Sequence, residues 1–198
     1  MRKVLFLPGA GGSAEFWKPV GSRLPAGWAK VYLNWPGLGR EAHDLGTRGI
    51  DDLLRRVEPE IDRPVDLIAQ SMGAVIAARL AIAYPTLVQR LVLTVTSAGV
   101  DMARFGAADW RPKYRRDFPH AARWITEEHA AAARPVERIL TPTLLIWGDA
   151  DPISRVAVGR HLESRMPNAR LIVIPGGGHR LAQDRPDEVA PLVAAHLA

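Results

Sequence analysis

Three stretches of the chain combine residue types that do nucleophilic chemistry. Ser71 lies in "AQSMG", directly after an apolar run and directly before a helical pattern. A serine on a sharp strand-to-helix turn exposes its hydroxyl. The backbone N–H of the next residue, here Met72, points into the same space at a helix N-terminus. Such a serine is usually flanked at −2 and +2 by glycine, because larger side chains clash across the turn. Here Gly73 holds one side and Ala69, the smallest substitute, the other. Taken alone, Ser71 also reads as a plain helix N-cap. Asp149 and Asp151 lie in "WGDADPI", where either also suits an Asx-turn before Pro152. His179, one of six histidines, follows three glycines in "IPGGGHRLAQDRPDEV", so its loop can bend and turn an imidazole inward. A serine, a carboxylate and an imidazole form a working set. The imidazole takes the serine proton, and the carboxylate fixes its tautomer and stabilises the imidazolium.

A fourth stretch, "LPGAGGSAEF" from Leu7 to Phe16, allows two chemistries. Gly9, Gly11 and Ala14 match G-x-G-x-x-A, the pattern that brings a dinucleotide pyrophosphate to a helix N-terminus. A glycine-rich turn after a strand can instead present N–H groups to an oxyanion. Dinucleotide binding needs an acidic residue at the end of the second strand for the ribose hydroxyls. That strand, Lys30–Leu33, ends in Asn34-Trp35. The phosphate-binding G-x-x-x-x-G-K-[ST] sequence is absent, and no histidine pair has H-E-x-x-H spacing. Neither a cofactor nor a metal is expected.

These loops must be held by a framework. Short apolar runs at Val4–Leu7, Lys30–Leu33, Val65–Ala69, Leu91–Val95, Thr143–Trp147 and Leu171–Ile174 lack polar alternation, as strands covered on both faces do. Helical patterns at Ala14–Leu24, Ile50–Ile61, Met72–Tyr84, Arg155–Arg165 and Pro186–Leu197 lie between or after them, bounded by Pro25, Pro64, Pro85 and Pro167. The alternation predicts an α/β fold with a doubly wound, mainly parallel six-stranded sheet. Ligands of such sheets bind outside the strand carboxyl ends, and Ser71, both aspartates and His179 each follow a strand.

The 198 residues suit one domain over the full chain, 1–198, and 47% hydrophobic with 24% charged is an ordinary globular composition. With no cysteine, neither disulfides nor thiolate catalysis is available. Val4–Leu7 is too short for a signal-peptide core, and no run approaches the roughly 18 apolar residues of a membrane span, so a cytoplasmic protein is expected. The net charge of +5 comes from basic residues spread along the chain, without a nucleic-acid motif.

The serine, acid, histidine order at strand ends is similar to that of the α/β-hydrolase fold serine hydrolases. The resemblance runs nearly end to end, through "LPGAGGS", "NWPGLGRE", "AQSMGA", "WGDADPI" and "GGGHRLAQDRPDEV". It implies Ser71 as nucleophile and His179 as base. It selects Asp151 as the acid, since the family's acid is the fourth residue of a G-x-x-D stretch. It makes the first glycine-rich loop the oxyanion loop, with the N–H groups of Ala10 and Met72 as donors. It implies six strands in the order 2-1-3-4-5-6, starting at what resembles the family's third strand. The chain departs from the family at Pro8-Gly9, where His-Gly is frequent, and at Asn34-Trp35-Pro36-Gly37, where Asp-x-Pro-Gly is frequent. The activity implied is hydrolysis of a carboxylic ester by a compact, short-lid esterase.

Residues 98–140 hold no strand signal, only an alanine-rich helical pattern with Phe105, Trp110, Tyr114, Phe118 and Trp124. An insertion of this length in a compact α/β domain usually lies over a site, so it is expected to be a helical lid. Gly11, Trp17, Phe105, Trp110, Ile153 and Leu181 are expected around the substrate, a small-molecule ester. Arg104, Arg111, Lys113, Arg115, Arg116 and Arg123 face only Asp109 and Asp117 between positions 104 and 124, six minus two or +4. That suits an acidic acyl carrier or a coenzyme A ester, and makes ester or thioester hydrolysis on such a carrier the alternative activity. The non-enzymatic alternative is a ligand-binding module on the same fold. Nucleic acid and membrane are not expected as partners.

Overall fold

The computed structural model describes residues 1–127 and 135–198. Along the chain lie β1 (Lys3–Leu7), α1 (Lys18–Gly21), β2 (Ala29–Tyr32), α2 (Ile50–Val57), β3 (Val65–Gln70), α3 (Met72–Ala83) and β4 (Val88–Thr94). Then follow α4 (Arg111–Asp117), α5 (Trp124–Glu127), β5 (Thr143–Gly148), α6 (Val156–Arg165), β6 (Ala169–Ile174), α7 (Leu181–Asp184) and α8 (Pro186–Leu197). The six strands form one sheet in the order β2-β1-β3-β4-β5-β6, and every pairing is parallel. The order reverses beside β1, so right-handed crossovers put helices on both faces.

The strand pattern follows from burial. Every residue of β1, β3 and β5 is buried, which is why these runs carry no polar alternation. The edge strand β2 is half-buried throughout. α3 packs on β1, β3 and β4, α6 on β5 and β6, and α8 on β4 and β5. Leu67, Ile68, Leu93, Leu145 and Ile146 are fully enclosed between the layers. Each such side chain contributes about 1.5–3 kcal/mol by leaving water.

Two predicted helices are broken where proline falls. The expected helix Ala14–Leu24 is a 3-10 turn, Ala14–Trp17, capped by the Ser13 hydroxyl, followed by the short α1 with Pro19 in its first turn. The expected helix Ile50–Ile61 ends at Val57 and passes into a 3-10 turn over Glu58–Glu60, because Pro59 has no N–H to continue the ladder. β4 starts at Val88, three residues before the expected Leu91; exposed Gln89 interrupts the apolar run there. Within 98–140 the described part contains a 3-10 turn at Met102–Phe105, α4, α5 and a 3-10 turn at Val136–Arg138; 128–134 of the expected insertion lie outside the described residues. Among the described residues, no helix is long and apolar enough to cross a membrane.

Candidate active site

The parallel sheet puts the carboxyl ends of β1, β3, β5 and β6 on one edge, where the predicted chemical residues meet. β3 ends at Gln70 and α3 begins at Met72, so Ser71 alone makes the turn. Its backbone has φ 52° and ψ −118°, a conformation that costs a non-glycine residue about 1–3 kcal/mol. The neighbourhood holds it from both sides. The Ser71 N–H donates to Thr94 O at 3.0 Å. Its carbonyl accepts from Thr96 Oγ1 at 2.7 Å and from the Ala74 N–H at 3.1 Å. A side chain at Gly73 would place a Cβ 2.2 Å from Pro8 O, so this glycine is what lets α3 start against the end of β1. Ala69 is fully buried, opposite Leu7 and Leu93, and its methyl group is accommodated there.

The acid loop follows β5. The Asp151 side chain is fully enclosed. Its Oδ1 accepts the Ile153 N–H at 2.7 Å, and its Oδ2 lies 2.7 Å from His179 Nδ1. Asp149 faces elsewhere: its Oδ1 accepts the Gly176 N–H at 2.6 Å and ties the histidine loop to the acid loop. The two loops also touch backbone to backbone, since a Cβ on Gly148 would sit 2.0 Å from Gly177 O.

His179 lies between the acid and the serine. Its Nε2 is 3.1 Å from Ser71 Oγ, and its side chain keeps about a fifth of its surface open to solvent. A carboxylate can only accept, so the imidazole proton sits on Nδ1 and the Nε2 lone pair faces the serine hydroxyl. Gln70, which sequence reasoning did not single out, donates from Nε2 to the His179 carbonyl at 3.1 Å. Its only sequence signal is its place beside Ser71. Thr96 carries no signal at all; its contact with Ser71 exists only because β3 and β4 are neighbours.

The loop after β1 turns its carbonyls onto donors elsewhere. Leu7 O accepts the Trp17 indole N–H at 3.0 Å, Pro8 O accepts that of Trp35 at 2.7 Å, and Gly9 O accepts the Gly12 N–H at 3.0 Å. Among the described residues, the N–H groups of Ala10 and Met72 donate to no backbone carbonyl. They are at the C-terminal sides of β1 and β3, which pair directly.

The expected pocket residues divide. Gly11 is exposed with open space where a side chain would be, and Ile153 is half-buried. Trp110 and Phe105 keep accessible surface, Trp110 at 5.4 Å from the Tyr114 ring and Phe105 at 5.3 Å from the His161 ring on α6. Trp17 and Leu181 are not pocket walls. Trp17 is 0% and Leu181 1% exposed, so neither offers surface to a ligand; Trp17 packs on Phe6 and Phe16, while Leu181 lies against Gly177. Among the described residues, no group of three or more His, Asp or Glu is arranged to hold a metal ion.

The model of the Alpha/beta hydrolase family matches residues 4–192. The chain belongs to that family. It is 29% identical over 188 residues to ABHD14B of Rattus norvegicus, named as a candidate protein-lysine deacylase, covering 93% of this chain and 78% of that one. It is 25% identical over 228 residues to the pimeloyl-[acyl-carrier protein] methyl ester esterase of Neisseria meningitidis serogroup C, covering 90% of this chain and 87% of that one. Among solved structures, the bromoperoxidase from Bacillus anthracis superposes with a TM-score of 0.78 at 19% identity, covering 99% of this chain and 91% of that one. As an alpha/beta hydrolase, the chain is a hydrolytic enzyme.

Proposed function

We propose that this alpha/beta hydrolase cleaves a carboxylic ester through an acyl-enzyme, with Ser71 as nucleophile, His179 as base and Asp151 as orienting acid. One observation carries the reading: His179 joins Asp151 at 2.7 Å and Ser71 at 3.1 Å through its two ring nitrogens. Ser71 Oγ attacks the ester carbonyl while His179 Nε2 takes its proton. The imidazolium is stabilised by the Asp151 carboxylate. The N–H groups of Ala10 and Met72 stabilise the tetrahedral oxyanion, an effect on the order of 10²–10³-fold per donor. Collapse of the intermediate expels the alcohol, which receives the proton from His179. Water then repeats the sequence on the acyl-enzyme and frees the acid. No step requires a metal or an organic cofactor.

Hydrolysis of p-nitrophenyl acetate and butyrate tests this directly. Wild type turns over, and Ser71→Ala loses many orders of magnitude. Activity surviving the substitution within a few-fold overturns the assignment. A fluorophosphonate probe separates enzyme from binding module, since only an activated Ser71 becomes labelled.

A second reading concerns the substrate. The segment 104–124 carries a formal +4, and one similar protein is named an esterase of a carrier-bound acyl group. We take residues 98–140 as a lid whose basic surface receives an acyl carrier or a coenzyme A ester. Part of that charge is engaged locally: Arg111 pairs with Asp109 at 3.1 Å, Lys113 and Arg116 pair with Asp117, and Arg115 Nε donates to Thr126 Oγ1 at 3.0 Å. The local excess of positive charge remains, and acts by steering encounter.

A further inference from the structure

The segment 98–140 reaches the glycine-rich loop through Tyr114. Tyr114, in the middle of α4, is buried, with 8% of its surface accessible. Its hydroxyl makes two hydrogen bonds. It donates to Ala10 O at 2.8 Å, across 104 residues of chain, and accepts the Gly39 N–H at 2.8 Å. Trp110 and Phe118 flank the ring at centroid distances of 5.4 and 5.0 Å, one turn away on either side. Burial pushes the phenol pKa up, so the hydroxyl keeps the proton it donates.

The loop after β2 completes the cradle, and gives the motif "NWPGLGRE" a physical purpose. The Trp35 N–H donates to Gly12 O at 2.8 Å and its indole to Pro8 O at 2.7 Å. Gly12 and Gly39 both have positive φ, 78° and 57°. A Cβ on Gly39 would lie 2.0 Å from Gly11 O, and one on Gly12 2.6 Å from Leu38 O. The two loops therefore meet backbone to backbone. Each carbonyl from Leu7 to Ala10 has a donor, and among the described residues Ala10 O is the one in this run whose donor comes from the segment 98–140.

We propose that Tyr114 is a positioning residue of the oxyanion hole: by gripping the Ala10 carbonyl and the Gly39 N–H together, it anchors the Ala10–Gly11 peptide plane, and with the Gly9 O to Gly12 N–H bond that holds the preceding plane it clamps Ala10 from both sides and so sets the aim of the Ala10 N–H. This rests on the serine-hydrolase reading above. Phenylalanine fills the same space but removes both hydrogen bonds. The plane that carries the Ala10 N–H then keeps only the Gly9 O to Gly12 N–H bond, with the plane after it free to rotate, and the N–H drifts from the position where the oxyanion develops. A misplacement of about 1 Å at such a group costs on the order of 10²-fold in rate.

The test compares wild type with Tyr114→Phe on p-nitrophenyl butyrate, alongside two inhibitors. One is an alkyl trifluoromethyl ketone, whose serine adduct carries an oxyanion. The other is the matching alkyl amide, which binds without forming one. The expected result is kcat lower by about 10- to 100-fold with KM within about 2-fold. The ketone weakens by the same factor as kcat, and the amide binds as before. Replacing Tyr114 by 4-aminophenylalanine returns an N–H donor to the Ala10 carbonyl and recovers most of the rate; it also serves as the informative variant should Tyr114→Phe not fold. Unchanged kcat in Tyr114→Phe overturns the inference and leaves the serine-hydrolase reading standing. Equal weakening of ketone and amide overturns it too, because a merely structural defect does not distinguish them. Wild type that neither hydrolyses the ester nor takes a fluorophosphonate label overturns the underlying reading, and the inference with it.

Discussion

Gln70 and His179 are joined by a side-chain to main-chain hydrogen bond of 3.1 Å that links the residue before the serine to the histidine loop. The same Gln70 side chain fills the space over Gly9, where an added Cβ would lie 2.1 Å from Oε1. One amide thus touches the three loops that carry Ala10, Ser71 and His179. Gln70→Ala is expected to lower kcat/KM by about 10-fold, through a loosened His179, with stability reduced by roughly 1 kcal/mol for the lost hydrogen bond. Steady-state kinetics with p-nitrophenyl butyrate and a thermal melt check both. Gly9→Ala should be worse, since the new methyl displaces Gln70.

The two aspartates of the acid loop separate by substitution to asparagine. Asp151→Asn presents an amide that no longer enforces the Nδ1–H tautomer of His179, and kcat is expected to fall by about 10⁴-fold. Asp149→Asn keeps an oxygen for the Gly176 N–H and should stay within about 3-fold of wild type. The opposite ranking, measured on the same ester, would move the acid role to Asp149.

Thr96 holds the strained serine. Thr96→Val keeps the shape but deletes the hydroxyl that donates to Ser71 O and accepts the Ala98 N–H. Denaturant unfolding should show a loss of about 1–3 kcal/mol, because the buried Ala98 N–H loses its partner and Ser71 O keeps only the Ala74 N–H. Thr96→Ser should retain most of that stability. Fluorophosphonate labelling of Ser71 should slow in the valine variant and not in the serine variant, which separates a misplaced hydroxyl from a general loss of stability.

Salt reports on the basic segment. Charges on a surface are screened over roughly 8 Å at physiological ionic strength. If an anionic carrier or coenzyme A ester is steered by this surface, its kcat/KM falls steeply with added salt while that of p-nitrophenyl butyrate barely responds. Replacing Arg111, Arg115 and Arg116 together by alanine should remove the difference. Equal salt dependence for charged and neutral substrates would point to a small neutral ester.

The sheet was legible in the chain because its cause is local. Strands buried on both faces are predominantly apolar, so β1, β3 and β5 announce themselves despite the buried Lys3, Asp66, Gln70 and Thr143, and one direction of winding puts their ends on one edge. Ser71, Asp149, Asp151 and His179 could be singled out for the same reason, since each follows a strand, and only the resemblance chose Asp151 over Asp149. Helix ends were less legible, because Pro19 and Pro59 break patterns whose apolar spacing continues past them. What belongs to the tertiary structure alone is the set of contacts made across the chain by residues whose local sequence does not name their partners. Tyr114 reaches Ala10 over 104 positions, Gln70 reaches His179 over 109, and Thr96 reaches Ser71 over 25. Trp17 has the position of a pocket residue in its loop and the burial of a core residue in the fold. A hydrogen bond depends on distance and angle between two groups, and periodicity constrains neither until strand order and loop packing have brought both groups to one place.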